Sequence, residues 1–246
     1  MKRILSISAA ISLTIFFACE KKTEPVDLEK YGLEYYPVEI GKYWEYSVDS
    51  LLYGPVGHTG VDSTTSYLRE EIVDTFRNDK NELVYRLDVF ARSSDTLGWD
   101  LINSSFIRKD NSSLIKTENG LHFIKLTFPV TRYSNWNGNV LIHWKSAIVI
   151  KGEEIAAFDN WNYIYESLSD KLDIGPKHWD DVLTVNEADY TAFDNKRYSV
   201  AQYVKNVGPV YREQWFLDTQ IYDERLTWRE KAQKGMILRM KLIQHN

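Results

Sequence analysis

The residue types that usually carry chemistry are few here, and their spacing suits little of it. The five histidines, His58, His122, His143, His178 and His245, are scattered along the chain. None forms HExxH, HxH or another spacing that would bring two imidazoles to one metal. The sequence has no GxSxG elbow for a serine nucleophile, no P-loop and no dinucleotide fingerprint. The loop GPVGHTG, Gly54 to Gly60, lacks the Lys-Ser/Thr of a phosphate cradle. Acidic pairs occur at Glu70-Glu71, Glu153-Glu154 and Asp180-Asp181. Glycoside hydrolysis needs two carboxyl groups facing each other across roughly 5–9.5 Å. Neighbours on a strand point to opposite faces, so no adjacent pair can be that dyad. The sequence therefore reads as a non-enzyme with no catalytic residue, no metal and no cofactor.

One residue does have a defined chemistry. Cys19 is the only cysteine, which excludes an internal disulfide and any cysteine-based zinc site. Lys2 and Arg3 precede fifteen uncharged residues, Ile4 to Ala18. That run is short of the ~20 residues of a membrane span and matches the apolar region of a secretory signal peptide. The sequence then reads Phe16-Phe17-Ala18-Cys19, which resembles the bacterial lipobox, with Phe16 where Leu is usual. The resemblance implies diacylglyceryl transfer to the Cys19 sulfur, cleavage between Ala18 and Cys19, and N-acylation. Two or more buried acyl chains anchor stably, at about 0.8 kcal/mol per CH₂. Glu20 is not the Asp that retains enterobacterial lipoproteins at the inner membrane, so by analogy the anchor is in the outer membrane. Which side of that membrane the body faces stays open.

The elements behind this anchor are strands. Glu20 to Leu33 is charged and lacks apolar periodicity, so it reads as a tether. From Tyr35 on, apolar residues recur with period two. Trp44, Tyr46 and Val48 share one face, as do Leu83, Tyr85, Leu87 and Val89. So do Ile124, Leu126, Phe128 and Val130; Val140, Ile142, Trp144, Ile148 and Ile150; and Met236, Leu238, Met240 and Leu242. Asn119-Gly120 is a strong two-residue hairpin signal. Short connections force antiparallel neighbours. Only 220–234 has the length for a helix, and being highly charged it reads as either a long loop or a surface helix; a short helix near 187–193 is a weaker expectation. The expected organisation is a signal peptide 1–18, an acylated cysteine and tether 19–34, and one mainly β domain 35–246. That domain should hold about eleven or twelve antiparallel strands in a strongly curved sheet, an open barrel or a sandwich.

Composition bounds the partners. The 246 residues are 43% hydrophobic and 26% charged, an ordinary globular balance. The net charge of −5 argues against a nucleic-acid binder. Aromatics make up 14% of the chain, and Trp161 and Trp179 beside Asn and Asp are candidate ligand-facing aromatics for a glycan or an envelope protein. Three tripeptides fit a Bacteroidota O-glycosylation pattern and nominate Ser50, Ser63 and Thr96 at strand ends or loops.

Four segments share a further likeness: Tyr35-Tyr36-Pro37-Val38-Glu39-Ile40-Gly41-Lys42-Tyr43-Trp44-Glu45-Tyr46; Phe123-Ile124-Lys125-Leu126 with Trp136-Asn137-Gly138-Asn139; Lys205-Asn206-Val207-Gly208-Pro209-Val210-Tyr211-Arg212-Glu213; and Leu242-Ile243-Gln244-His245-Asn246. Together they resemble a family of uncharacterised Bacteroidota cell-envelope lipoproteins with a YFPLxxGxxWxY-like start and a late GxGxVxxE-like segment. That resemblance implies an envelope lipoprotein and no enzymatic role. Read physically, Gly41 and Gly208 suit tight turns or close approach, and Trp44 and Tyr46 suit the core. The leading expectation is an outer-membrane-anchored binding or scaffold module. The alternative is a carrier of lipid or lipoprotein with an apolar cavity, and a glycan-active hydrolase ranks third. Replacing Cys19 with Ala should block signal-peptidase II processing and release the protein from membranes. Palmitate labelling of the Cys19→Ala protein would overturn the anchor.

Overall fold

The computed structural model describes residues 31–55, 60–143, 145–159 and 161–246. The signal peptide, Ala18, Cys19 and most of the tether lie outside them. The tether's last residues, 31–34, are already packed: Tyr31 O accepts from Val130 N at 2.9 Å, and Leu33 opens a 3-10 turn, Leu33–Tyr35, against the core.

The expected antiparallel β domain is what forms. Twelve strands make one sheet: β1 (Tyr43–Tyr53), β2 (Asp62–Arg77), β3 (Leu83–Arg92), β4 (Asp100–Lys109), β5 (Ser113–Glu118), β6 (Leu121–Thr127), β7 (Asn135–Trp136), β10 (Tyr163–Ile174), β11 (Lys177–Thr191), β12 (Asn195–Val204), β13 (Gly208–Asp218) and β14 (Lys234–His245). The strands β8 (Ala147–Ile150) and β9 (Glu153–Ala156) form a separate hairpin whose Ile150 and Ile155 enter the main core. The large sheet runs β6-β5-β4-β3-β2-β1-β14-β13-β12-β11-β10-β7 and is nearly closed into a barrel. Antiparallel pairing of the first and last strands joins its two halves.

The seam between β6 and the β7–β10 edge is closed by a few bonds, not a ladder. Ile124 N donates to Gly138 O at 2.8 Å, and Trp136 Nε1 donates to Ile124 O at 2.8 Å. The Tyr165 hydroxyl accepts from Thr127 N at 2.9 Å and donates to Thr127 O at 2.6 Å. Closure spares the sheet two exposed edges.

Local chemistry explains most elements. Asn119 (φ 49) and Gly120 (φ 78) both take positive φ, as a primed two-residue turn requires, and they join β5 to β6. Trp44 and Tyr46 are buried as expected. Three of the four family-like segments meet: Trp44 Nε1 donates to Val207 O at 2.6 Å, Tyr46 OH to Pro209 O at 3.0 Å, and Asn246 Nδ2 to Gly41 O at 2.9 Å. Gly208 (φ 106) lies so close to the Trp44 indole that a Cβ would meet Nε1 at 2.7 Å.

Two local expectations fail, and 220–234 takes its loop alternative. The strand expected through Val140 and Ile142 forms only at Ala147–Ile150; residues 140–142 are turns, with Val140 and Leu141 exposed. Its alternation was real, but Asn137 and Asn139 fold the chain back, Asn139 N donating to Asn137 Oδ1 at 3.0 Å. The weak helix at 187–193 does not form: Glu187–Thr191 continue strand β11, with Ala188–Thr191 paired to β12. Of 220–234 only α1 (Trp228–Lys231) is helical, started by a Thr227–Glu230 capping box.

Gly235 sits at φ 122, and a Cβ there would meet the Phe216 carbonyl oxygen at 1.8 Å. Neither the backbone angle nor the backbone contact can relax locally. Gly235→Ala should therefore cost about 3 kcal/mol or more, read as a lower urea midpoint at unchanged m-value.

Candidate functional site

The barrel is not filled. A cavity of about 340 Å³ lies inside it, with exposed Ile102, Asn103 and Asn119 among its lining residues. Six charged side chains line it: Glu70 from β2, Lys116 and Glu118 from β5, Lys125 from β6, Glu187 from β11 and Arg212 from β13. The apolar lining comes from Leu68, Val89 and Ile102 and from Met236, Leu238 and Met240 on β14. Tyr36, Tyr46, Tyr203 and Tyr211 also line it.

The backbone places two of these charges at β-bulges. Leu114 pairs with Leu126 and Ile115 with Ile124, so Lys125 is the extra residue of a β-bulge. Asn186 pairs with Val200 and Ala188 with Ser199, so Glu187 is the extra residue of another. Bulges commonly re-aim a side chain beside a functional site. Here the two bulged residues meet, Lys125 Nζ donating to Glu187 Oε1 at 3.0 Å.

The rest of the network satisfies each charge in turn. Ser199 Oγ donates to Glu187 Oε2 at 2.6 Å. Arg212 forks onto both oxygens of Glu118 at 3.1 and 2.9 Å and approaches Glu187 at 3.8 Å. Lys116 donates to both oxygens of Glu70 at 2.6 and 2.8 Å and stands 3.6 Å from Glu118. Three cations thus face three carboxylates. At an effective dielectric of ~20 a contact at 3 Å is worth about 5–6 kcal/mol, similar to the several kcal/mol each ion loses on leaving water. The network is therefore near break-even as a whole but intolerant of losing one member.

The electrostatics keep the carboxylates ionised. Burial acts to raise the Glu118 carboxyl, yet Arg212, Lys125 and Lys116 together hold it well below the usual carboxylate range. For Glu187 burial is likewise outweighed, by Lys125, Arg212 and the Ser199 hydroxyl, and its value is lowered. Burial and then Arg212 lower the Lys125 ammonium, against the pull of Glu118 and Glu187. Burial pushes the Tyr36, Tyr46 and Tyr203 phenols well above their ordinary value, so they serve as neutral hydroxyls. The Tyr36 hydroxyl and Arg212 Nε are buried and make no hydrogen bond.

The aromatics nominated from sequence lie elsewhere. Trp161 is 4% exposed, donates Nε1 to Ala157 O at 2.9 Å and stacks on Phe216 at 5.9 Å. It is a core residue and not a ligand-facing one, because the loop that carries it folds inward over the apolar interior. Trp179 lies in β11, not in a loop, and is half-buried against the core, with its ring 6.0 Å from His245. Neither lines the cavity. Among the glycosylation candidates, Ser63 and Thr96 are exposed, at the start of β2 and in the β3–β4 turn. Ser50 is not at a strand end: it lies within β1, flanked by Thr64 and Leu238. Among the described residues no group of three His, Cys, Asp or Glu is placed to hold a metal.

The acid pair Glu70-Glu71 was visible in the sequence, and register marks Glu70, between Leu68 and Ile72, as its inward member. Arg212 after Val210, and Glu187 after Leu183 and Val185, carry the same signal: each is a charge on the apolar register of its strand. Lys125 carries none, because a bulge puts it there.

No protein-family model matches the chain, and no curated protein matches it. Two solved structures are similar in fold. One is a Bacteroides fragilis protein described as exported and as having a YmcC-like fold, at 11% identity over 86% of this chain and 98% of that one, with a TM-score of 0.36. The other is a Parabacteroides distasonis protein described as a lipoprotein, at 11% identity over 85% of this chain and 98% of that one, with a TM-score of 0.33.

The depressed carboxyls set the sign of the pH response. Their contribution to stability is complete above the ordinary Glu value of 4.5 and is lost as pH falls from there through their folded values. The denaturation midpoint should drop on acidification below about pH 4.5. Lys125→Met should cost about 3–5 kcal/mol at neutral pH by stranding Glu187, and Lys125→Met/Glu187→Leu should recover much of that loss. Both are checked by urea titrations across pH.

Proposed function

We propose that the chain is a lipoprotein of the bacterial cell envelope, held in the outer membrane through acylated Cys19, whose barrel binds a small ligand without turning it over. The observation that carries the binding role is the interior cavity, lined at once by compensated charges and by methionines. Its 340 Å³ falls at the lower end of the ~300–1,000 Å³ typical of small-molecule sites. That size favours a small ligand over a whole diacyl lipid, and so a binding module over a lipid carrier.

The lining also speaks to the ligand's chemistry. Adding a net charge among three cations and three carboxylates would upset a balanced set, so a neutral or zwitterionic molecule suits it. Met236, Leu238 and Met240 offer a conformable apolar surface. The Tyr36 hydroxyl has hydrogen-bonding capacity to spare. The absence of turnover is supported by the carboxylates. A glycosidase acid must hold its proton near working pH, and both Glu118 and Glu187 are pushed the other way. Anchoring rests on the signal region and its lone cysteine; among the described residues no helix is long and apolar enough to cross a membrane.

Protein extracted from its own envelope should show, by native mass spectrometry, a non-covalent small-molecule adduct. Met240→Trp, which fills the cavity, should lose it. An adduct-free wild type, or an adduct unchanged in Met240→Trp, would sink the binding role. An adduct with the mass of a diacyl lipid would replace it with the carrier.

A further inference from the structure

A second cavity, of about 440 Å³, opens at the tip of the β11–β12 hairpin, away from the barrel interior. We infer that it is a binding site for a neutral saccharide, with Phe193 and Tyr222 as its aromatic platform.

The cleft is built and braced. Thr219 N donates to Asp194 O at 2.8 Å, and Thr219 Oγ1 donates to Lys231 O and accepts from Ile221 N at 2.9 Å. Gln220 N donates to Gln233 Oε1 at 2.6 Å. These bonds tie the hairpin tip, the segment after β13 and the segment before β14 into one unit. Arg197, only 3% exposed, anchors it by donating to Ala156 O at 3.0 and 2.8 Å and to Leu217 O at 2.9 Å.

The charges cancel. Arg197 and Lys234 are matched by Asp194 and Asp218, with Arg197 2.7 Å from Asp218. A phosphate or a polyanion finds no net attraction here. What the cleft offers is closely spaced donors and acceptors of both kinds, carboxylate, carboxamide, hydroxyl and ammonium. Asn195 gives a pointed case: its Nδ2 donates to Asp194 Oδ1 at 2.8 Å, while its Oδ1 is buried and accepts nothing. A buried acceptor without a partner costs roughly 1–3 kcal/mol, which a ligand hydroxyl would recover.

The aromatic half sits at the mouth. Phe193 is 72% exposed and Tyr222 64% exposed, with ring centroids 5.6 Å apart. Neither belongs to the apolar core. Two large rings left in water beside a polar, charge-neutral cleft match a sugar ring, which has apolar C–H faces and a rim of hydroxyls. A peptide side chain would want an apolar groove, and this cleft is polar.

The test uses the full chain in a detergent without a sugar headgroup, probed by saturation-transfer NMR. The probes are neutral hexasaccharides of β-1,4-glucan, α-1,4-glucan, β-1,4-xylan and α-1,6-mannan, at roughly 10 mM, above a weak Kd of ~1 mM. At least one should bind. Phe193→Ala/Tyr222→Ala should weaken it at least tenfold while leaving the thermal midpoint unchanged, because both rings are exposed. Tyr222→Ala alone should weaken it in part, and Val149→Ala, at an exposed position elsewhere, should have no effect. No binding by any of the four, or equal binding by the double variant, would overturn the assignment. Binding that survives the rim substitutions would overturn it even if the barrel interior took the sugar.

Discussion

Glu187 is fully buried, and a carboxylate out of water must find its compensation at contact distance. It finds Lys125 and Ser199 there, with Arg212 just beyond. Lys125 belongs to β6, one edge of the sheet, and Glu187 to β11, two strands in from the other edge. The ion pair therefore crosses the seam of the barrel. Closing the sheet and neutralising the buried charge are one event, and neither is favourable without the other. The backbone seam has few bonds of its own, which leaves this pair, with Trp136 and Tyr165, to hold the edges together.

The same constraint explains why the interior stays hollow. Charged groups that must satisfy one another at fixed distances cannot also interdigitate like a hydrocarbon core. Around them sit unbranched methionines from β14 and tyrosines whose hydroxyls need somewhere polar to point. The family-like segments support this arrangement: Trp44 and Tyr46 fasten β1 to the turn and first residues before and within β13, which carries Arg212. Residues that read as structural motifs in the sequence thus set the position of a cavity residue within the same segment.

Strand identity was readable because it depends on local alternation, which tertiary packing here reinforces. Trp44, Tyr46 and Val48 point inward as their spacing implies, and Asn119-Gly120 turns the chain as its chemistry demands. The site was less readable because a key residue sits where alternation is broken. By period two, Lys125 belongs with the solvent face between Ile124 and Leu126; one extra residue in β6 reverses that. A bulge has no fixed sequence signature, so no count of neighbours would have placed Lys125 inside, whereas Glu187 keeps the register of Leu183 and Val185. The aromatics misled for the opposite reason. Trp161 looks exposed beside Asp159 and Asn162, but side-chain polarity of neighbours on a loop does not report which way the loop folds. The two most exposed rings among the described residues, Phe193 and Tyr222, lie far apart in sequence, and the pairing of β12 with β13 brings them together.

The two cavities share one electrostatic property: each balances its own charges. The chain's net negative charge is therefore carried outside these two cavities. A site without net charge gains little from long-range steering and must select by shape and by hydrogen-bond pairing at short range. Such pairing discriminates most strongly when buried polar groups would otherwise be left unmatched. The Tyr36 hydroxyl and the Asn195 carbonyl oxygen are such groups, one inside the barrel and one in the rim cleft. Selectivity in this protein is thereby concentrated on a few polar atoms, while the methionines of one site and the paired rings of the other supply contact area that tolerates variation in the rest of the ligand.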